Sequence, residues 1–419
     1  MAGGLMALSL SILAAPAQAA DKRAVLETYA DIAQAAYEDS LQTARDLQQA
    51  VEALIEQPSA QALARARAAW IEARVPYMQT EVYRFGNAIV DDWEGKVNAW
   101  PLDEGLIDYV DPSYGSESAE NPGYAADVIA NPTLTIGGET LDAGTITAAL
   151  LEENLQELGG IEANVATGYH AVEFLLWGQD LNGTEAGAGE RSWTDYAKGE
   201  DCTNGNCERR GDYLATATGL LVDDLDWMAA QWTEGGAARS GLLDGDPDAG
   251  IAAILTGLGS LSYGELAGER MKLGLMLHDP EEEHDCFSDT THLSHYFDIV
   301  GMLNVYSGSY TRVDGRKVVG PAVSHLLAAQ APEVNQELYA RLRATEAAAA
   351  EMKARAEAGE AYDQMIGADN AEGNAVVQKV IDGLTAQTPA IEKAVAALGL
   401  QPIAFEGSDS LDDPEAVFQ

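Results

Sequence analysis

His170 and Glu173 stand three apart in the run Gly168-Tyr169-His170-Ala171-Val172-Glu173. On a helix that spacing puts an imidazole and a carboxylate on one face, where both can meet a single cation. The same spacing also gives a self-satisfied hydrogen-bonded pair, so metal chemistry requires further donors. Tyr77, Glu81 and Arg84 would share a face of an earlier helix, and Trp100-Pro101-Leu102-Asp103-Glu104 brings acids into a long polar loop. One histidine with two or three carboxylates mixes borderline and hard donors, a set suited to iron, manganese or zinc more than to Cu(I). A mutual Glu81–Arg84 ion pair is the competing use of those two residues.

A second cluster runs from Glu281-Glu282-Glu283-His284-Asp285-Cys286-Phe287-Ser288-Asp289 to His292 and His295. Glu281 to Glu283 read as a solvated acidic turn, with Ser288 or Asp289 capping the helix that follows. His284, Ser288, Asp289 and His292 are open to a binding role. Zinc-protease patterns fail: H-E-x-x-H is missing, and Phe174 stands where H-x-x-E-H needs its second histidine. CxxCH, Walker, GxSxG and dinucleotide fingerprints are missing too, which excludes covalent haem and nucleotide chemistry but leaves non-covalent haem on a single His or Tyr.

These residues must be held by helices. Ala, Leu, Glu and Gln dominate, with apolar residues three or four apart, so the fold class is all-α. The series from Val25 through Leu54 breaks at Gln57-Pro58-Ser59, and Ser59 can cap the next helix, which carries Trp70 and kinks near Pro76. From about Gly86 to Thr145 the pattern dissolves into a long loop. Periodicity resumes at Ala148 and runs, interrupted at Gly159-Gly160, to Trp177. Further helices are expected near Tyr213–Trp232, Ile251–Leu277, Thr291–Tyr310, Ala322–Ala349 and Ala375–Leu398. The organisation is a leader (1–19), a bundle half (20–181), a connector (182–210), a second bundle half (211–400) and a flexible tail (401–419). The halves read as a pseudo-repeat: Glu81 and Arg84 in one answer to Glu269 and Arg270 in the other.

Leu5 to Ala15 followed by Ala17-Gln18-Ala19 has the form of a signal peptide cut after Ala19, which sends the chain outside the cytoplasm. No later stretch approaches the roughly 20 apolar residues that span a bilayer. With 68 acidic against 24 basic residues the formal charge is -44. Such a surface repels nucleic acid and anionic lipid and attracts cations, and adaptation to salty water explains it equally well. Cys202 and Cys207 flank the turn-forming Thr-Asn-Gly-Asn, and an oxidising compartment would let them close a small disulfide, leaving Cys286 as a buried thiol.

Taken in order, several segments resemble the imelysin family and, within it, the iron-regulated protein A group. They are Trp70-Ile71-Glu72-Ala73-Arg74 with Thr80 to Gly86, Trp100-Pro101-Leu102-Asp103, Gly168 to Gly178, and His284 to Asp289 with Thr291-His292. The resemblance implies two helical bundles of four-helix type facing each other across a cleft, in a protein of the bacterial periplasm or outer envelope tied to iron uptake. It implies that Gly168, His170 and Glu173 form the family's GxHxxE metal motif. The set expected around one iron or zinc ion is then Glu81, Asp103, His170 and Glu173, with Arg84, His284, Ser288, Asp289 and His292 lining the opposite wall. The partner would be the metal itself or a small iron-bearing ligand, passed on to envelope iron-uptake proteins. Alternatives are a metallopeptidase, after the family's name, and a module binding haem, a siderophore or a polysaccharide.

Overall fold

Two polar caps open the fold. The Asp21 side chain accepts the amide of Arg23 and starts α1 (Lys22–Glu56), and the Ser59 side chain accepts that of Ala62 and starts α2 (Ala60–Met78). Each satisfies an amide that a helix N-terminus leaves without a partner. The computed structural model that carries these elements describes residues 21–136 and 138–418, and the leader expected at 1–19 lies outside the described residues. Along α1 the buried stripe runs Val25, Tyr29, Ile32, Ala36, Leu47, Val51 and Leu54, the three- and four-residue spacing of one helical face.

Pro76 lies inside α2, and the helix stops two residues later; Thr80 turns back through its hydroxyl and its amide, both 2.7 Å from the Tyr77 carbonyl oxygen. Glu81–Tyr83 is therefore a separate short turn, not a continuation of the α2 face as the sequence suggested. The loop expected from Gly86 to Thr145 contains α3 (Ala88–Glu94) and an antiparallel hairpin, β1 (Thr133–Ile136) with β2 (Glu139–Asp142). Periodicity after Ala148 yields one wide turn at Leu150–Leu155; left-handed backbone at Glu157, Gly159 and Gly160 then ends it, and α4 spans only Gly168–Trp177.

After the connector come α5 (Cys207–Trp232), α6 (Ala237–Leu243) and α7 (Pro247–Ser260). The last continues through a π-helical stretch, Leu261–Lys272, into α8 (Leu273–Leu277), so the helix expected from Ile251 is one rod of three parts. Then follow α9 (Thr291–Ser307), the hairpin of β3 (Ser309–Thr311) and β4 (Lys317–Val319), α10 (Val323–Gln330), α11 (Pro332–Glu357), α12 (Tyr362–Ile366) and α13 (Ala371–Ala397). Pro332, whose ring suits a first helical position, splits the helix expected over 322–349 into α10 and α11.

Among the described residues the fold is all-α apart from the two hairpins. α1 packs on α2 and α5, and α4 lies against α2 and α5; α9, α11, α13 and the π stretch pack together, with α2 against α9 joining the two groups. Gly301 allows that junction: a Cβ there would stand 2.6 Å from the Gln79 carbonyl oxygen. Residues 401–418, expected as a flexible tail, run along the π stretch, where the Ser410 hydroxyl donates to the Gly268 carbonyl at 3.0 Å and the Tyr263 hydroxyl to Asp412 at 2.7 Å.

The connector is tied down by charge. Cys202 and Cys207 are joined in a disulfide. Asp108, from the long loop, accepts Arg191 at 2.6 Å and a bidentate Arg210 at 2.6 and 2.9 Å, all of them buried. Burial alone would raise the Asp108 carboxyl, but the two guanidiniums outweigh it and hold it below the usual carboxylate range.

Two outcomes test these supports. Replacing Asp108 by Ala leaves buried Arg210 without a carboxylate and Arg191 with only Asp195 at 3.3 Å, and chemical denaturation should show a loss of about 3–5 kcal/mol. Because the folded carboxyl titrates below the unfolded value of about 3.9, its stabilisation is complete above that value and disappears as pH falls through the folded one; D108N should therefore unfold less steeply in acid than wild type. Gly168 has φ +80°, and a Cβ there would meet the Val97 carbonyl oxygen at 2.5 Å. Gly168→Ala should cost at least about 1–3 kcal/mol, a decrease that thermal or urea melts would detect.

Candidate metal centre

The centre lies where α2, α4 and the approach to α9 meet. Gly168 docks the start of α4 under Val97: the Tyr169 amide donates to the Val97 carbonyl at 2.7 Å, and the Trp70 indole donates to the Tyr169 carbonyl at 2.9 Å. One turn on, His170 and Glu173 are buried, at 1 % and 0 % exposure. His170 Nδ1 and Glu173 Oε2 are 3.0 Å apart. The other Glu173 oxygen accepts the Ser288 amide at 3.0 Å and the Ser288 hydroxyl at 2.6 Å. Both Glu173 oxygens are thus engaged, and Glu173 orients His170 instead of facing outward as a free donor. His170 Nε2 is buried without a protein partner.

The stretch before α9 brings the other donors. The His284 and His170 ring centroids are 4.9 Å apart, and His284 Nδ1 also lacks a partner. Asp285 Oδ1 lies 4.0 Å from His170 Nδ1 and accepts Arg74 Nη2 at 2.8 Å. Its other oxygen accepts the Ser294 hydroxyl, and its amide donates to Thr291 Oγ1 at 2.8 Å. Arg74 also donates to Asn98 Oδ1 at 2.5 Å, and Asn98 in turn to Glu94 at 3.1 Å. Among the described residues, ligand atoms of His170, His284 and Asp285 lie within 4.8 Å of one another.

Electrostatics keeps both rings neutral. Burial first, then Arg74 and Arg270, push His170 well below its usual value; burial, Arg270, His170 and Arg74 do the same to His284. A neutral imidazole has one ring nitrogen with a free lone pair, the form that binds metals. Burial and the nearby Asp285 raise Glu173, against the pull of Ser288 and Arg74. A proton on Nδ1, donated to Glu173, leaves Nε2 as the lone-pair atom.

The other candidates lie elsewhere. Glu81 is buried and accepts Arg270 Nη2 at 2.6 Å; Arg270 also binds Glu265 at 2.8 Å and reaches Asp298 at 3.5 Å. Arg84 does not pair with Glu81 but with Asp91 at 2.9 Å and Glu265 at 3.2 Å. Asp103 is half-buried and accepts the Asn121 side chain at 2.5 Å, holding the long loop together. Neither Glu81 nor Asp103 belongs to the group of His170, His284 and Asp285. His292 is buried, with Nδ1 unpartnered, and burial lowers it to about 4. Ser288 serves Glu173 and caps nothing: α9 starts after Thr290 with no side-chain cap. The acidic turn is not solvated throughout, since Glu281 is exposed while Glu283 is buried at 1 %. Asp289 gathers instead with Glu283 and Asp363; burial and Asp363 push it up to about 8. Cys286 is a partly buried free thiol, which burial raises.

Sequence spacing singled out neither Asp285 nor Arg74. The His284-Asp285 dipeptide beside a second histidine pair was the available signal for the first. Arg74 meets Asp285 across 211 positions of chain, a separation over which helical periodicity says nothing.

A protein described as an iron-regulated protein A precursor, from Parabacteroides distasonis, has a similar fold: its crystal structure superposes with a TM-score of 0.63 at 16% identity, covering 90% of this chain and 95% of that one. At that identity the likeness concerns the fold alone. No curated protein matches the sequence. The imelysin family profile matches residues 33–391, most of the chain and every residue of the centre, and the protein is a member of the imelysin family.

Proposed function

We propose that this imelysin-family protein binds one iron ion through His170, His284 and Asp285, with Glu173 as the orienting acceptor, and serves iron binding or acquisition outside the cytoplasm. The observation that carries the reading is the pair of buried, neutral imidazoles, each with an unpartnered nitrogen, on residues whose ligand atoms group with one of Asp285, a carboxylate that also accepts Arg74 and Ser294. Burying such groups without a partner costs free energy, and a shared cation would recover it. Two imidazoles and one carboxylate form the donor set typical of non-haem Fe(II), and zinc accepts the same atoms.

Several observations support cargo handling over turnover. The Glu173 carboxylate, the nearest base, has both oxygens engaged. Ring centroids 4.9 Å apart leave no room for a porphyrin between His170 and His284, which favours a bare ion over haem. The name of the Parabacteroides protein supports iron over zinc, and the Cys202–Cys207 bridge supports an oxidising compartment such as the periplasm or outer envelope. A metallopeptidase remains the second reading, because three protein donors leave coordination positions open to water.

Metal-free protein titrated anaerobically with Fe(II), and separately with Zn(II), should take up one equivalent by elemental analysis. His170→Ala combined with His284→Ala should retain less than about a tenth of that metal; equal loading of variant and wild type would remove this site from the account. Glu173→Gln should weaken binding by about 10–100-fold while the protein stays folded, since it disturbs only the partner of a ligand. Chelator-sensitive cleavage of an unfolded peptide by the pure protein, lost in the double variant, would replace the storage reading by the peptidase one.

A further inference from the structure

Three carboxylates converge outside the histidine centre. Glu283, Asp289 and Asp363 each contribute an oxygen to a group whose atoms all lie within 4.8 Å of one another. Glu283 is 1 % exposed and Asp363 0 %. Both oxygens of each, with Asp289 Oδ1, are buried and have no hydrogen-bond partner, five oxygens in all. The Thr291 hydroxyl and the amides of Asp363 and Gln364 lie near enough to pull weakly on these carboxyls but outside hydrogen-bonding geometry.

Such a cluster is costly in isolation, because like charges this close, removed from water and paired with no Lys or Arg among the described residues, repel strongly. The donor set is all oxygen, without imidazole or sulfur, which selects hard cations. Two oxygens on opposite sides of an ion at about 2.4 Å from each are about 4.8 Å apart, so oxygens no farther apart than that can share one ion. Calcium accepts six to eight oxygens in irregular arrangements, whereas magnesium demands a near-ideal octahedron and keeps its waters.

We propose that Glu283, Asp289 and Asp363 form a second cation site, for an oxygen-preferring divalent ion of the calcium class. Its placement gives it a job. Glu283 and Asp289 bracket the stretch that supplies His284, Asp285 and Ser288, and Asp363 anchors it to α12, where the Tyr362 ring meets that of His295 at 5.1 Å. A cation there clamps both ends of the segment that shapes the histidine centre. The inference rests on its own donors and stands whether or not iron binds at His170.

Chelator-stripped protein is titrated with calcium in about 1 M sodium chloride, where a Debye length of ~3 Å suppresses diffuse binding to the acidic surface. We expect one saturable site by calorimetry and a rise in Tm of about 3–5 °C at a hundredfold excess over Kd. The H170A/H284A protein should respond alike, which separates this site from the iron reading. Glu283→Gln with Asp363→Asn should bind calcium at least tenfold more weakly, take up the Fe(II) that calcium-free wild type does, and melt no lower than wild type without calcium, since repulsion has been removed. If that double variant does not fold, the partly exposed Asp289→Asn should show the same tenfold loss. No saturable response to calcium or magnesium in wild type, or an undiminished one in these variants, overturns the proposal.

Discussion

The Arg74–Asp285 ion pair is the contact on which the geometry of the centre depends. It joins α2 to the stretch before α9, with both side chains buried, at 3 % and 1 % exposure. Buried ion pairs repay their desolvation only when the remaining donors and acceptors are also satisfied. Asn98 and Ser294 meet most of that condition here, on Arg74 Nη1 and on the second Asp285 oxygen, and Arg74 Nε is left buried without a partner. Because the aspartate is fixed by these partners, the adjacent His284 is fixed too, and its ring can lie against that of His170 on a helix from another part of the chain. The guanidinium also contributes to keeping both imidazoles uncharged, so one residue that offers no electron pair controls both where the donors stand and whether they can donate.

Buried charge is distributed around this centre in graded fashion. The Asp108–Arg191–Arg210 cluster is balanced by guanidiniums and anchors the connector. Arg270 alone meets Glu81 and a more distant Asp298 and shares Glu265 with Arg84, and burial leaves Asp298 raised well above the usual carboxylate range. Among the described residues the trio of Glu283, Asp289 and Asp363 forms no ion pair with Lys or Arg, and five of its oxygens have no hydrogen-bond partner. A net charge of -44 makes exposed carboxylates unremarkable in this protein. Those turned inward without partners are a different matter, because desolvation makes each of them expensive.

Much of the architecture was legible in the sequence because it rests on local signals. The break at Gln57-Pro58-Ser59, the Ser59 cap and the buried stripe of α1 follow from spacing and propensity within a few residues. Boundaries were missed where a local residue overrode periodicity, as with Pro332; the interruption read at Gly159-Gly160 is present, but the helix after it resumes only at Gly168. At the centre, His170, Glu173, His284 and Ser288 were visible as motif residues. Their division of labour was not: whether Glu173 faces a metal or a hydroxyl depends on Ser288, 115 positions away. Glu81 misled for the same reason, since its partner Arg270 is 189 positions distant and no periodicity reports such a meeting.

The π-helical stretch Leu261–Lys272 makes the arrangement around Arg270 sensitive to length. Residues five apart point about 140° away from each other on an ordinary helix, yet Glu265 and Arg270 are bonded at 2.8 Å because the turn here is wider. Losing one residue between them would restore the common pitch and leave the two only four apart, on one face again. Lineages of this fold should therefore lose the wide turn and one residue together, and not either one alone.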